Sequence, residues 1–285
     1  MFSTIFISFI AFLIALLPVY LWGYGVSYLL ETPWNRRRFL LGMIVWGLSV
    51  WLVWLFSYLG SDSLYVIMTL GVFVLLMVLI LYILIRSWST YARVLLQQFA
   101  TVNMMIIVAI LAIILISTRT LPGGAIIALS VAPLLISSLI EESSKHLMSI
   151  GLMSQDFAFS RRDIIIFTLF VVLGFVFVEN LLYLFASHTA LSTWIFRSFF
   201  SLTAHLLSAV ICAYAWWRAL SYEPYSVRYV AIFSTWFAIA VLTHLGYNLI
   251  LQQGSMIGLF LYMIVGYVVV TRGMLLESWQ KIDSK

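Results

Sequence analysis

Charge is what this sequence has least of. Of its 285 residues only 9% are Asp, Glu, Lys or Arg and 64% are hydrophobic, whereas a soluble domain is about a quarter charged and about half apolar. That scarcity excludes water as the main solvent. Cysteine is nearly absent as well: Cys212 stands alone inside an apolar run, which excludes an intramolecular disulfide and leaves the redox compartment unread. Low-complexity tracts and a clear internal repeat are missing, which excludes long linkers and solenoids. The apolar runs also lack strict alternation, so a transmembrane β-barrel is excluded.

What the chain does have is nine long apolar runs, roughly 4–30, 39–60, 64–85, 96–118, 125–152, 163–187, 192–219, 229–251 and 255–275. Each approaches or exceeds the ~20 residues that a spanning helix needs. The expected fold is all-α, a polytopic transmembrane helical bundle forming a single membrane domain over 1–285. Within it, 1–120 would be a four-helix support region, 121–252 would carry spans five to eight, and 253–285 the last helix and a cytoplasmic tail. The first run has no basic stretch ahead of it and no small-residue cleavage site, so it is expected to be a helix rather than a leader.

The net charge of +5 raises the question of nucleic acid, and the placement of the basic residues answers it. Arg36, Arg37, Arg38, Arg86, Arg93, Arg161, Arg162, Arg218, Arg228, Arg272, Lys281 and Lys285 fall in odd-numbered connections or the C-terminal tail. Only Arg119 falls in an even-numbered one. By the positive-inside rule the odd connections and the C-terminus are cytoplasmic and the N-terminus is outside. No basic patch remains for a nucleic-acid partner.

Ionisable side chains at membrane depth are costly and mark functional sites by default. They are Glu141, Glu142, Lys145 and His146 in the fifth span, Glu179 in the sixth, Arg197 and His205 in the seventh, and His244 in the eighth, with the amides Asn180 and Asn248 beside them. Spans five to eight are thus the chemical half. Glu141 and Glu142 are neighbours about 100° apart on a helix, with Lys145 one turn beyond Glu141 and His146 one turn beyond Glu142. Two adjacent carboxylates in low dielectric cannot both ionise cheaply, so one is expected to keep its proton while Lys145 keeps the other charged. Taken alone, the pair also reads as a Glu-Lys cap near the cytoplasmic headgroups.

Glu179 lies at least two turns inside its span, where a carboxylate needs a proton, a cation or a metal. Arg197 is a cationic partner for a carboxylate, or else snorkels to the outer interface; Ser201 joins it to His205 in a rough stripe. His244 and Asn248, four apart, share one face and could polarise a carbonyl and hold its oxyanion. Interhelical hydrogen bonding is the plainer use of both. His188 falls in a short external connection and is expected to be solvated.

Together, Glu141-Glu142-x-x-Lys145, Phe175-x-x-x-Glu179-Asn180, Arg197 with His205 eight residues on, and His244-x-x-x-Asn248 resemble the PrsW family of intramembrane proteases. That family looks related to the CAAX-prenyl endopeptidase and bacteriocin-processing group. The resemblance covers roughly residues 138–250. Against the CAAX-processing group, Lys145 stands where an arginine usually follows one residue later, and Glu179 stands where that group has a histidine. Both departures favour the PrsW branch and argue against a prenylated substrate.

The resemblance implies an intramembrane endopeptidase of the bacterial cytoplasmic membrane acting on a membrane-anchored protein, an anti-sigma factor in the family's known case. Its catalytic set would be Glu141, Glu142, Glu179, His205, His244 and Asn248, supported by Lys145, Asn180 and Arg197. Either Glu141 or Glu142 activates a water with the histidines and Asn248 assisting and no metal, or a zinc sits on Glu142, His205 and His244. A proton-coupled transporter or channel also uses buried Glu, His and Arg, but no matched pair of broken helices is present.

Depth adds one expectation. Counted at about 1.5 Å per residue from the ends of their spans, Glu179 and His244 lie in the outer half and Glu141 and Glu142 in the inner half. The mismatch disappears if the fifth span begins near Pro133 and the stretch from about Leu121 to Ala132 is re-entrant or interfacial. A wet site in the outer half is then expected, with Ser137 accessible from outside.

Overall fold

The computed structural model describes residues 2–58, 124–151, 161–186, 197–219, 221–222 and 226–283. Among them every secondary-structure element is helical: α1 (Phe2–Leu29), α2 (Arg36–Tyr58), α3 (Gly124–Gly151), α4 (Arg161–Ala186), a π-helical turn (Arg197–Ser201) leading into α5 (Leu202–Ala219), α6 (Val227–Gln252) and α7 (Met256–Asp283). Three apolar stretches, Arg162–Leu181, Phe199–Ala219 and Val227–Gln252, are long and apolar enough to cross a membrane. The helices follow seven of the nine apolar runs. The runs at 64–85 and 96–118, His188, and the arginines at 86, 93 and 119 lie outside the described residues.

α4 is the central helix, packed against α1, α2, α3 and α5. From Ile164 to Phe177 its apolar side chains are buried almost without interruption, the all-round burial expected of an apolar helix in the middle of a bundle. α5 is enclosed in the same way. α1 and α7 instead expose Leu17, Tyr20, Leu21, Ile257, Leu261 and Ile264 outward, the apolar surface that lipid covers. Buried aromatic and aliphatic contacts join α1, α2 and α4 into one core with α5 and α6.

Two glycines set the α2–α4 crossing. A Cβ on Gly42 would run into the Val171 carbonyl oxygen, and one on Gly174 into the Phe39 carbonyl oxygen. The two backbones are in direct contact, the close approach that small residues permit between membrane helices. α6 begins at Ser226, whose Oγ accepts from the Tyr229 amide at 3.2 Å, and ends where Gly254 adopts φ +67. There the Gly254 and Ser255 amides return to the Leu251 and Ile250 carbonyls, a glycine cap that reverses the chain into α7.

The structure corrects one expectation. Residues 124–132 are not a separate re-entrant segment, because α3 is one continuous helix from Gly124 through Pro133 to Gly151. Pro133 removes only the amide that would bond one turn back, a loss that neighbouring helices and side chains accommodate in a bilayer. The depth mismatch came from counting from the helix end: at 28 residues α3 is about 42 Å long, beyond the ~30 Å hydrocarbon thickness, so its end is no gauge of depth.

Gly42→Ala or Gly174→Ala should lower the thermal midpoint of the purified protein in detergent, at a cost of at least about 1–3 kcal/mol for overpacking. Gly25→Ala, where a Cβ meets nothing within 4 Å, should leave the midpoint in place.

Candidate active site

α3 carries the ionic centre because its turn repeat stacks polar residues on neighbouring stripes: Ser137 under Glu141, and Ser138 under Glu142 and Lys145. Ser137 Oγ donates to Glu141 Oε1 at 2.9 Å. Glu142 and Lys145 are both fully enclosed, at 0% side-chain exposure, and Lys145 Nζ lies 2.5 Å from Glu142 Oε1. The same ammonium reaches His205 Nδ1 on α5 at 2.7 Å and lies 4.7 Å from the Phe175 ring centroid on α4. Glu142 Oε1 also meets His244 Nδ1 on α6 at 2.7 Å, and its Oε2 lies 3.4 Å from His146 Nε2. One carboxylate and one ammonium therefore connect α3 to α5 and α6.

These contacts give Nδ1 opposite roles in the two cavity histidines. An ammonium can only donate, so His205 Nδ1 accepts from Lys145 and the ring proton sits on Nε2, which lies 2.7 Å from Glu179 Oε2. A carboxylate can only accept, so His244 Nδ1 carries a proton toward Glu142. Its Nε2 faces Glu141 Oε2 at 3.6 Å. The two rings meet edge to face with centroids 4.7 Å apart.

A cavity of about 250 Å³ opens on this arrangement, bordered by Glu141, Glu179, Ser201, His205, His244 and Asn248 and running along α6 to Leu251 and Gln252. Asn248 Nδ2 donates to Ser138 Oγ at 3.1 Å. Of the residues singled out in the sequence, Glu141, Glu179, His205, His244 and Asn248 meet in the cavity, while Glu142, Lys145 and His146 stand behind it. Asn180 is buried, does not border the cavity, and neither amide atom has a hydrogen-bond partner. The side chain of Arg197 lies outside the described residues.

Sequence reasoning left Ser138, Tyr247 and Gln252 without a role. Ser138 and Gln252 carry a readable signal, since each lies one turn from a named residue on the same face, Glu142 and Asn248. Tyr247 carries none, because its ring is equally at home in apolar packing.

One donor atom from each of Glu141, His205 and His244 lies within 4.8 Å of the others. By donor type the trio suits zinc, a His₂Glu set that leaves a position for water. Glu141 Oε2, buried and without a hydrogen-bond partner, and His244, held from behind by a carboxylate, have the character of such ligands. The carboxylate joining the histidines is Glu141, whereas the sequence reading named Glu142. His205 departs from the pattern, since the Lys145 contact leaves a proton on its Nε2. A second trio, Glu142, His146 and Cys212, lies where the Lys145 ammonium already supplies the cation.

Removing the charge from Glu142 strands a buried ammonium, a loss typically of about 3–5 kcal/mol. Glu142→Gln should therefore lower the thermal midpoint strongly, while Glu141→Gln, at the cavity wall, should shift it little. Thermal unfolding of the two variants side by side in detergent checks this, and equal midpoints would contradict the assignment of Glu142 as the enclosed partner.

Comparison with curated proteins and with solved structures finds no match. A family model described as PrsW family intramembrane metalloprotease matches residues 88–274, about two thirds of the chain, and spans α3 to α6 with most of α7. With apolar helices long enough to span a bilayer and a Glu/His cluster enclosed among them, the chain belongs to the PrsW family of intramembrane proteases.

Proposed function

We propose that this protease hydrolyses a peptide bond of a membrane-anchored protein near the extracytoplasmic side, with Glu141 as the base that activates water. The observation that carries the reading is the division between the two glutamates. Glu141 borders the cavity with His205, His244 and Asn248, and Glu142 is enclosed behind it by Lys145 and His244.

A water at Glu141 gives its proton to the carboxylate as its oxygen bonds to the substrate carbonyl carbon, and the carbonyl π electrons move to oxygen. Asn248 Nδ2, which keeps a second N–H beside the one given to Ser138, is the donor for that oxyanion. The proton passes from Glu141 to His244 Nε2, 3.6 Å away, and then to the leaving nitrogen as the C–N bond breaks. Glu142 at Nδ1 stabilises the transient imidazolium, as the buried carboxylate does in serine-protease triads. Lys145 and Glu179 face the two ring nitrogens of His205 and fix its orientation edge to face with His244. Asn180 and Arg197 are assigned supporting roles by the family resemblance.

Were zinc bound, Glu141, His205 and His244 would hold it, and it would supply a water acidic enough to attack near neutral pH. The metal-free chemistry is favoured because the Lys145 contact with His205 Nδ1 leaves the opposite nitrogen protonated.

The extracytoplasmic assignment rests on α6. The cavity runs from His244 toward Gln252, an interval of about 12 Å, at the end opposite Ser226 and Arg228. With the N-terminus outside, the C-terminus cytoplasmic and nine spans in all, that end faces away from the cytoplasm. The division into a support region (1–120), a catalytic region (121–252) and a last helix with tail (253–285) follows, as does a bacterial cytoplasmic membrane by resemblance. An anti-sigma factor is the substrate type the family suggests.

Two experiments test the proposal. Purified protein incubated with a panel of single-span membrane proteins should cleave one of them. Glu141→Gln should lower the rate by roughly 10²–10⁴-fold, the usual worth of a general base, and a zinc chelator should have no effect. Loss of cleavage in chelator would move the chemistry to the metal. Separately, Ser137→Cys in intact cells should react with an impermeant thiol reagent from outside, and labelling from the cytoplasmic face alone would sink the extracytoplasmic site.

A further inference from the structure

A second cavity, about 450 Å³, lies among the α1–α2 connection and the first turns of α2 and α4, away from the catalytic residues. Its lining combines three arginines, Arg36, Arg37 and Arg162, with two carboxylates, Glu31 and Asp163, over the indole of Trp34. The indole is fixed from several sides. It fills the notch at Gly23, where a Cβ would strike the ring, and its centroid lies 5.6 Å from Phe39 and 5.4 Å from Phe170. Arg162 braces the rim by donating to the Leu30 carbonyl. Arg36 and Arg37 are exposed on the first turn of α2.

The mixed lining defines what fits. A ligand must offer an anion to the guanidinium groups, which bind phosphate by charge-assisted hydrogen bonds, and N–H or O–H donors to the carboxylates. The surroundings define what else the ligand carries. Tyr20 stacks on Trp34 at 6.2 Å, and Tyr24 stacks on Tyr28 at 6.2 Å. These three tyrosines form an outward stripe one turn apart on α1, each more than half exposed, that continues into exposed Leu17 and Leu13. Aromatic residues at a helix end beside arginines mark a membrane interface, and the leucines beyond them face the acyl region. A molecule with its head in this cavity would lay its tails along α1.

We propose that this cavity binds the headgroup of a phospholipid. Arg36 and Arg37 take its phosphate, and Glu31 and Asp163 take the ammonium or hydroxyl hydrogens at its end. Phosphatidylethanolamine and phosphatidylglycerol carry such hydrogens; phosphatidylcholine, with a quaternary ammonium, has none. Basic pockets at the ends of membrane helices are a known means of lipid-headgroup recognition, and here the carboxylates add selectivity. The inference rests on the membrane character of the bundle and is independent of the proteolytic mechanism.

Native mass spectrometry of the purified full chain with equal amounts of the three lipids tests it. Wild type should retain the ethanolamine or glycerol lipid several-fold over the choline lipid, the double variant Glu31→Gln, Asp163→Asn should lose that preference, and Arg36→Gln, Arg37→Gln should lower retention of all three lipids with an unchanged thermal midpoint. Equal retention of all three lipids by wild type, a comparison that needs no variant, would overturn the proposal. So would a preference that survives in the Glu31→Gln, Asp163→Asn variant, or retention that is unchanged in the arginine variant. Displacement of the retained lipid by millimolar inorganic phosphate would reassign the cavity to a free anion.

Discussion

Glu142 and Lys145 face one another at 2.5 Å on a single turn of α3, with no exposure to solvent or lipid. Neither could be enclosed alone, since an unpaired ion in a low-dielectric interior carries a desolvation cost that only a partner and further hydrogen bonds offset. The pair obtains those hydrogen bonds from other helices: His205 on α5 for the ammonium and His244 on α6 for the carboxylate. The need to satisfy two buried charges therefore draws three helices to one point. It also orients both histidines, because a donor and an acceptor behind them assign their ring protons in opposite senses.

The packing around this centre is arranged to hold it still. α4 brings Phe175 and Glu179 to the same point, and Phe175 lies beside both the ammonium and the His205 ring. α4 is itself held against α2 by the backbone contact at Gly42 and Gly174. A membrane bundle has little hydrophobic gain from helix association in lipid, so close backbone packing and buried polar contacts carry more of the burden. The rigid part thus lies behind the site, and the cavity opens on the side where α6 turns into α7 through Gly254. Membership of the PrsW family is consistent with this economy: the buried ionisable side chains among the described residues gather in one cluster, and the helices around them bury or position it.

The metal question reduces to one imidazole. Glu141 Oε2, without a hydrogen-bond partner, and His244 Nε2 face one another across 3.6 Å, an arrangement that serves a proton relay or a zinc ion equally well. His205 distinguishes the two, because a lysine at Nδ1 favours a proton rather than a metal at Nε2. The family is described as metalloprotease, and the described side chains hold a Glu/His grouping of the right donor type.

Much was legible in the sequence for local reasons. Long apolar runs, placed without reference to one another, anticipate helices because each helix satisfies its own backbone hydrogen bonds. The polar residues of the site could be named because few others occur at that depth. Their pairings along one helix, such as Ser137 with Glu141 and Glu142 with Lys145, follow from the turn repeat. Tertiary structure alone decided which glutamate faces the cavity, which ring nitrogen of each histidine meets Lys145 or a carboxylate, and that α3 runs unbroken through Pro133. It also brought residues 31–37 together with Arg162 and Asp163 around one cavity. These features depend on the rotation and depth of one helix against another, quantities set by packing and by the pairing of buried charges rather than by any spacing within a single helix.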